Sequence, residues 1–352
     1  MVRAWVYRKM ILRFSKGFYH FRLTLRHVFM FKMTDKKYLT ADIFDNEDQK
    51  LLTDCTLCPR ECRVNRFEEA DGYCGADAGL NIASICIHRG EEPPISGPNG
   101  ICNIFFAVCN LRCIYCQNHD ISRPESGCRQ HTMDLKTALD IIEEILSKGI
   151  KAVGFVSPSH VVPQVKAIIK GLNSRGLKPI TVYNTNGYDK PETLRTIGKM
   201  IDVWLPDFKY ATAETASEYS DAGDYPEVAL KAIKEMYYQK GSSLISDESG
   251  TAERGILLRH LVLPGHAEES KKVLRIIAEK ISPGIHLSLM SQYHPTHHVR
   301  NHPILNRPLY KKEYESVIEE MGKLGFRNGW IQDMNSFENY RPDFSKEHPF
   351  ED

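Results

Sequence analysis

"CNIFFAVCNLRCIYCQN", residues 102–118, holds the two features from which we interpret the rest of the sequence. Its first half, CNIFFAV, is short and apolar and predicts a buried strand. Its second half spaces Cys109, Cys113 and Cys116 as C-x3-C-x2-C. Zinc sites take four ligands, of which a remote His or Cys would be the fourth, and iron–sulfur clusters normally take four thiolates. A cluster held by three thiolates leaves one iron free, so the triplet predicts a metal centre that a substrate or cofactor completes.

Similar apolar segments recur along the chain after this stretch. They are short, rich in Val, Ile, Leu and Phe, and bounded by Gly, Pro or Asn, as buried parallel strands are. The strand candidates are CNIFFAV (102–108), KAVGFVS (151–157), PITVYN (179–184), VWLPDF (203–208), ILLRHLVL (256–263) and IHLSLM (285–290), and a short final strand is expected near GWIQD (329–333).

Helical segments separate these strands. In MDLKTALDIIEEILSKG, apolar residues recur at helical spacing between a predicted N-cap, Asp134, and a predicted stop, Gly149. AEESKKVLRIIAEK and PLYKKEYESVIEEMGKLG follow the same pattern. Strand and helix alternate about six times, which predicts an α/β fold with an open, partial parallel βα barrel, because a closed barrel has about eight units.

Four regions are expected along the chain. They are a basic N-terminal extension (1–33), a small Cys-rich metal-binding appendage (34–100), the partial barrel (101–335) and a C-terminal tail (336–352). The extension has eight Lys or Arg and no acidic residue. We interpret it as the product of an upstream start codon, with the protein beginning at Met33, and the alternative is a transit peptide or a membrane-surface helix.

The composition argues against several classes of function. A net charge of +1 gives no overall field toward nucleic acid or a membrane, and no apolar run reaches the roughly 18 residues of a membrane span. Ten cysteines in 352 residues are too few for a secreted disulfide scaffold. Most of them lie between residues 55 and 116, and such crowding predicts metal binding in a reducing cytoplasm.

Polar or ligand-type residues follow every predicted strand of the barrel. The segments that follow the six strands are CNLRCIYCQN, SPSH, NTNG, PDFK, LPGH and SQYHP. Active sites of such barrels form from the loops at the carboxyl ends of the strands. The six loops together therefore predict a shared site built around the thiol triplet.

Several segments together resemble the radical S-adenosylmethionine (radical SAM) enzymes. The triplet spacing, with Tyr115 as an aromatic residue before the last cysteine, resembles their cluster motif. The wider match resembles the PflX branch, which are homologues of the pyruvate formate-lyase activating enzyme, and covers roughly residues 50–335. It depends on the segments CTLCPRECRVNR, GYCGA, HRGEEPPISGPNG, IFFAVCNLRCIYCQN, VWLPDFKY and LRHLVLPG.

The resemblance implies a [4Fe-4S] cluster on Cys109, Cys113 and Cys116, with S-adenosylmethionine on its open iron. It implies reductive cleavage of S-adenosylmethionine to a 5′-deoxyadenosyl radical, which takes a hydrogen atom from the substrate. The implied partners are an electron donor of the flavodoxin or ferredoxin type and, as for the activating enzyme, a glycyl-radical enzyme. Contacts to S-adenosylmethionine are expected from Tyr115, Ser157, Ser159, Asp207, Lys209, Arg259 and Gln292.

Two loops depart from the pattern of the activating enzyme. Its Gly-Gly-Glu-Pro loop holds the methionine amino group, and this chain has the segment SPSH there, so Ser157 or Ser159 would have to substitute. The segments NTNG and PDFK match loops that also bind a monovalent cation in the relative. Asn184 replaces one of the carboxylates, which weakens the case for that cation. Without the resemblance, Asp207 and Lys209 are equally well a solvated ion pair at a strand end.

A second cysteine group, Cys55, Cys58, Cys62 and Cys74, has the spacing C-x2-C-x3-C-x11-C. Four thiols can close a zinc site or complete a second cluster, and the spacing leaves the metal open. Two other motifs are expected to be exposed: the Glu pair of HRGEEPPISG in a Pro-rich turn, and the His-rich loop YHPTHHVRNHP (293–303).

Two alternatives to glycyl-radical activation stay open. One is radical modification of another peptide or of a small molecule by the same chemistry. The other, from a different class of function, is a zinc-stapled binding module in which both cysteine groups are structural and S-adenosylmethionine is not turned over.

Overall fold

The computed structural model describes residues 41–68, 71–334, 342–346 and 349–350. These residues fall within one compact unit, Ala41–Asp352. The expectations for residues 1–33 lie outside the described residues. In the described part of the chain, no helix has the length and apolar character needed to cross a bilayer.

The described elements alternate as the sequence predicts. The strands are β1 (Leu80–His88), β2 (Ile101–Phe106), β3 (Thr132–Met133), β4 (Ala152–Val156), β5 (Ile180–Thr185), β6 (Val203–Pro206), β7 (Ile245–Ser246), β8 (Ala252–Leu261), β9 (His286–Met290) and β10 (Gly329–Ile331). The α-helices are α1 (Asn46–Thr53), α2 (Pro93–Ser96), α3 (His119–Ser122), α4 (Leu135–Ser147), α5 (Val162–Ser174), α6 (Pro191–Ile197), α7 (Ala213–Ser220), α8 (Tyr225–Lys240), α9 (Ala267–Lys280) and α10 (Lys311–Lys323).

The strands form one sheet in the order β10-β9-β8-β6-β5-β4-β2-β1-β3, with β7 paired to β8. Every neighbouring pair from β2 to β10 along this order is parallel. All seven predicted strands are therefore confirmed, and so is the open, mostly parallel α/β architecture.

Three strands were not predicted, namely β1 and the two-residue strands β3 and β7, and β1 changes a boundary. β1 pairs antiparallel with β2, from Ile82 opposite Phe106 to His88 opposite Ile101. An antiparallel neighbour needs only a short connection and no crossover helix, so it does not show in a strand–helix rhythm. Part of the predicted appendage thus lies in the barrel sheet, and residue 100 does not separate two units.

The predicted helix ends agree with the structure where their caps were read from the sequence. The Asp134 carboxylate accepts a hydrogen bond from the Thr137 backbone N–H at 2.9 Å, as an N-cap does. Gly149 has φ +86°, a left-handed conformation that favours glycine at a helix stop. α9 and α10 also lie within the segments predicted for them.

Successive side chains along each strand point to opposite faces of the sheet, so the strands contribute to two separate apolar clusters. Side chains such as Ile104, Phe155 and Trp204 belong to the main core between sheet and helices. Val203 and Leu257 belong to a smaller apolar cluster inside the barrel. That cluster closes the amino-end half of the interior, so polar chemistry is confined to the carboxyl ends of the strands.

Gly154 on β4 shows how tightly the polar layer packs above that cluster. A Cβ at this position would lie 2.1 Å from the Asn103 Oδ1. The Asn103 amide, on the neighbouring strand, crosses that space to hydrogen-bond with Glu91 at 3.0 Å. Only glycine leaves room for this polar crossing beneath the site.

Candidate active site

A cavity of about 200 Å³ lies at the carboxyl ends of the parallel strands. The loops after β2, β4, β5, β6 and β9, together with the β8 side chain of Arg259, contribute to its wall. Its predicted members are Cys109, Cys113, Tyr115, Cys116, Ser157, Asp207, Lys209, Arg259 and Gln292. The three cysteines therefore face the same space as most of the residues expected to contact a cofactor.

Each sulfur of the triplet accepts a hydrogen bond from a side chain outside the motif. Asn186 donates its amide N–H to the Cys109 Sγ at 3.4 Å, and the Ser220 hydroxyl donates to the Cys113 Sγ at 2.9 Å. The Ser122 hydroxyl is 3.4 Å from the Cys116 Sγ. Donors of this kind stabilise thiolate ligands and tune the potential of a cluster.

The donor set of the triplet fits a four-iron cluster. Such a cluster binds each thiolate to a separate iron, and three thiolates leave one iron without a protein ligand. Cys109, Cys113 and Cys116 all line the cavity, where a further ligand would complete such a cluster.

A buried ion-pair network lines the same cavity as the thiols. The Asp207 carboxylate accepts from the Arg259 Nε at 2.9 Å and from the Lys209 Nζ at 2.6 Å. Arg259 also donates to the Asn184 Oδ1 at 2.6 Å and to Glu91 at 3.2 Å. The solvated-pair interpretation of Asp207 and Lys209 is wrong, since their side chains are 13% and 17% exposed.

Glu91 and Glu92 were expected in an exposed turn, and that expectation is also wrong. They lie inside the barrel, where the Glu91 Oε1 accepts from the amides of Asn103 and Asn184 at 3.0 and 3.1 Å. The Glu92 Oε2 lies 3.9 Å from the Arg259 guanidinium and has no hydrogen-bond partner among the described residues. The chain returns through β1 and places this turn beneath the site, which a Pro-rich motif does not reveal.

The network sets the charge of each carboxyl group. Burial alone would raise the pKa of Asp207, but the charges of Arg259 and Lys209 outweigh it and lower that pKa. Burial likewise acts to raise the pKa of Glu91, yet its interactions with His88 and Arg259 lower it overall, to about 2. For Glu92, burial outweighs the opposing charge of Arg259 and raises the pKa.

Tyr115 is connected to the thiols through a chain of hydroxyl groups. Its oxygen is 2.6 Å from the Tyr210 oxygen, which is 2.6 Å from the Ser220 Oγ, and Ser220 donates to Cys113. Tyr115 is buried and its ring contacts that of Tyr293. Its position is therefore fixed from two sides.

Of the two candidate serines after β4, only one lines the cavity. Ser157 lines the cavity and adopts a left-handed backbone conformation, φ +53°. Such strain in a residue other than glycine is common at functional sites. Ser159 does not line this cavity, because the turn directs its hydroxyl toward the Thr185 hydroxyl, 3.0 Å away.

The predicted tail reaches the cavity without a signal in the sequence analysis, whereas the loop after β9 was expected there. Pro342 and Phe350, from the predicted tail, line it, and the Phe350 ring packs against His88 at 4.1 Å between centroids. From the His-rich loop, His294 lines the cavity, whereas His297 and His298 are exposed as expected.

A second cavity, also of about 200 Å³, adjoins the first. Glu91 and Arg259 line both cavities, and Glu92, Ser288 and Trp330 line only the second. Glu92, whose Oε2 has no hydrogen-bond partner among the described residues, thus faces this second space.

The second cysteine group lines a separate, much smaller pocket of about 10 Å³. Its wall includes Cys55, Cys58, Cys62, Cys74 and His160. The four cysteines are thus brought together at one pocket, and Cys74 packs against Val108 of the Cys109 loop.

Comparison with known proteins agrees with this geometry. Residues 103–242 match the model of the Radical SAM superfamily. An uncharacterized protein of Methanocaldococcus jannaschii is 26% identical over 299 residues, which cover 82% of this chain and 81% of that protein. The match supports the radical SAM superfamily, whose members are enzymes that use a four-iron cluster and S-adenosylmethionine, and all three motif cysteines lie within it.

Solved structures with a similar arrangement share little sequence. The structure of anSMEcpe with bound AdoMet and the Cp18Cys peptide is 15% identical with a TM-score of 0.44, over 68% of this chain and 61% of that chain. SuiB of Streptococcus suis bound to S-adenosylmethionine is 15% identical with a TM-score of 0.43, over 66% and 50%. A domain of a pyruvate-formate lyase-activating enzyme from Bacteroides vulgatus is 14% identical with a TM-score of 0.35, over 49% and 93%. The chain thus spans about three-fifths of anSMEcpe and half of SuiB.

Proposed function

We propose that this chain is a radical SAM enzyme that cleaves S-adenosylmethionine at a cluster held by Cys109, Cys113 and Cys116. The observation that carries the proposal is that these thiols line the same cavity as a buried network of ion pairs. When bound, a reduced four-iron cluster supplies the electron that splits the sulfonium C–S bond, and the resulting 5′-deoxyadenosyl radical takes a hydrogen atom from the substrate. The protein holds the reactants together and keeps water away.

Side chains that line the cavity can bind the charged groups of the methionine part of S-adenosylmethionine. Lys209 and Arg259 are cations that favour the methionine carboxylate. Ser157 presents a polar group from its strained turn and is our candidate acceptor for the methionine amino group, whereas Ser159 is directed away from the cavity. Tyr115 and Gln292 complete the wall, with the Gln292 Oε1 fixed by the Gln332 amide at 2.8 Å.

A monovalent cation is not part of this proposal. The oxygens expected to bind it belong to Asp207 and to the loop of Asn184. Arg259 donates to both of these side chains, and Lys209 takes the second Asp207 oxygen. These side-chain oxygens already accept hydrogen bonds from the protein's own cations, so the proposal does not use a bound cation.

For the substrate, we propose hydrogen abstraction in the space beside Arg259, with two candidate reactions. The first is activation of a partner enzyme by removing a hydrogen atom from a glycine, with a flavodoxin or ferredoxin as electron donor. The second is modification of another peptide or a small molecule, which the adjoining cavity with its buried Glu92 favours because its size suits a small group.

The test is anaerobic reconstitution of the full chain with iron and sulfide, followed by reduction with dithionite in the presence of S-adenosylmethionine. Release of 5′-deoxyadenosine is expected, and Cys113→Ala should abolish it. The matched control is Cys86→Ala, a buried cysteine outside both groups, which should retain the activity. A colourless zinc protein that releases no 5′-deoxyadenosine would establish the binding-module alternative instead. Electron paramagnetic resonance after mixing with candidate glycyl-radical enzymes then separates the two substrate classes.

A further inference from the structure

The four-cysteine pocket is built by an unusual local backbone. Glu61 and Arg63, on either side of Cys62, both have left-handed φ angles, +41° and +59°. The Arg63 N–H bonds to the Cys55 carbonyl at 3.0 Å, which closes the loop on itself. The Tyr73 N–H then donates to the Cys62 Sγ at 3.2 Å. Strain of this kind persists only where surrounding contacts hold it, and here it brings distant thiols to one pocket.

The charge around this pocket favours a bound group that is negative overall. Arg66 lines the pocket and is 1% exposed. Its guanidinium donates to the carbonyls of Ala76, Asp77 and His160, at 3.1, 2.8 and 2.6 Å. A fixed, buried cation stabilises a nearby anion, and a metal centre with four thiolates carries net negative charge.

Four thiols that line one pocket suit a tetrahedral zinc site or a fully coordinated four-iron cluster. Zinc does not change its oxidation state, whereas a four-iron cluster accepts and gives one electron. Cys74 packs against Val108, which directly precedes the first cysteine of the triplet. This position beside the triplet favours the redox-active cluster.

The pocket also shares a wall with the active-site loop. Val108 packs against Cys74 and Ala76 in a small buried cluster and directly precedes Cys109. Val108 has φ +61°, a real outlier for a β-branched residue. The His160 Nε2, whose ring lines the pocket, is 3.1 Å from the Ala107 carbonyl oxygen. One short segment thus separates the two groups of thiols.

We propose that Cys55, Cys58, Cys62 and Cys74 bind a second [4Fe-4S] cluster, fully coordinated by the protein, that passes electrons to the cluster at the triplet. The donor protein gives one electron to the second cluster, which is then reoxidised as it reduces the first. Cys62 is partly exposed and marks the side on which the electron arrives. The relay rests on the proposed function, but the identity of the second metal centre does not.

Metal analysis tests the site without any activity. The reconstituted full chain should hold about eight iron and about eight sulfide, and Cys58→Ala about four of each. Cys86→Ala should match the wild type. One zinc per chain that disappears in Cys58→Ala, or an iron content unchanged by that substitution, would overturn the proposal.

Electron paramagnetic resonance of the wild type tests for a second cluster even if the Cys58→Ala variant does not fold. The dithionite-reduced chain should show two S = 1/2 centres with mutual broadening, and Cys113→Ala should retain one of them. A single centre in the wild type that vanishes in Cys113→Ala contradicts a second cluster. This result would leave the reaction at the triplet intact.

The relay is tested by the source of electrons. In Cys58→Ala, the rate of 5′-deoxyadenosine release with reduced flavodoxin should fall at least about tenfold further than the rate with dithionite, because the small reductant reaches the open cluster directly. Equal losses with both reductants would overturn the relay. If the wild type releases no 5′-deoxyadenosine with either reductant, the proposed function fails and the relay with it, while the metal counts still decide the second site.

Discussion

The two cysteine groups of this chain differ in what surrounds them. Three thiols face a cavity of about 200 Å³ with a charged wall, whereas four thiols enclose a pocket of about 10 Å³. Metal sites divide in the same way, since structural sites are closed by protein ligands and catalytic sites keep a position open. The number of thiols and the size of the space agree with the two proposals, an open cluster that binds a cofactor at the triplet and a closed, electron-transferring cluster at the four cysteines.

The largest expected effect is a difference in how the two sites lose metal. Under an iron chelator, or on brief exposure to air, iron should be lost in two phases of about equal size. The phase from the triplet should be at least about tenfold faster, since its open iron is reachable through the cavity. S-adenosylmethionine should slow only this fast phase. Absorbance at the cluster bands, with iron counted after desalting, follows both.

Variants assign the two phases of metal loss. Cys113→Ala should show only the slow phase and Cys58→Ala only the fast one, and Cys86→Ala should behave as the wild type. A single phase in the wild type, or protection of both phases by S-adenosylmethionine, would contradict the contrast between an open and a closed site.

The sequence predicts those residues of the candidate site that lie together in a single loop after a strand. The cysteine triplet lies within one loop after one apolar strand, so its residues and its place at the carboxyl edge follow from local pattern. Asp207 and Lys209 follow another strand in the same way. What local pattern cannot give is the burial of that pair, because burial depends on Arg259 arriving from β8.

The remaining residues of the candidate site come from segments that are distant in sequence. Glu91 follows a strand that runs antiparallel to the rest and reaches the site from within the barrel. Asn186 and Ser220 donate to the thiols from separate loops. The four-cysteine spacing predicts a metal site, yet the wall it shares with Cys109 depends on the packing of Val108, which no spacing shows.

A smaller effect is expected from the buried ion pairs of Arg259, which line the cavity at the cysteine triplet. Arg259→Met leaves Asp207 and Glu91 buried beside the cavity without the guanidinium that both of them contact. Removing one partner of a buried ion pair costs about 3–5 kcal/mol of unfolding free energy. The thermal midpoint should therefore fall by roughly 10 °C, and the fast phase of iron loss should become faster.

The matched control for that variant is Lys148→Met. Lys148 pairs with Glu144 at 3.0 Å, and the two side chains are 53% and 72% exposed. An exposed pair contributes less than about 1 kcal/mol, so the midpoint should hardly move. Equal losses in the two variants would show that the wall is not the buried network described.

A third prediction uses Glu92, which has a raised pKa beneath the open site. The folded state holds this proton above the ordinary pKa of 4.5, so the folded chain binds more protons than the unfolded chain between those two values. Stability from this group is present below pH 4.5 and is lost as pH rises toward the folded pKa, at about 1.4 kcal/mol for each unit of the shift.

Glu92→Gln should therefore gain stability over the wild type as pH rises above 4.5. Thermal midpoints of both proteins across pH 5 to 8, taken as a difference at each pH, isolate this group from the rest of the network. Glu315→Gln, an exposed carboxylate on α10, is the control and should give a flat difference. A flat difference for Glu92→Gln would mean that its carboxyl is ionised in the folded chain.

The smallest expected effect tests whether a general loss of stability changes the ratio of the two phases of iron loss. Asp134 caps α4 through its hydrogen bond to the Thr137 N–H and lies outside both cysteine groups. Asp134→Ala should cost about 1 kcal/mol, measurable as a lower thermal midpoint. Because neither site loses a ligand or a wall, iron per chain and the ratio of the two phases should stay at wild-type values. If this variant changes the ratio, the phases report unfolding of the whole chain, and the contrast between an open and a closed site cannot be read from them.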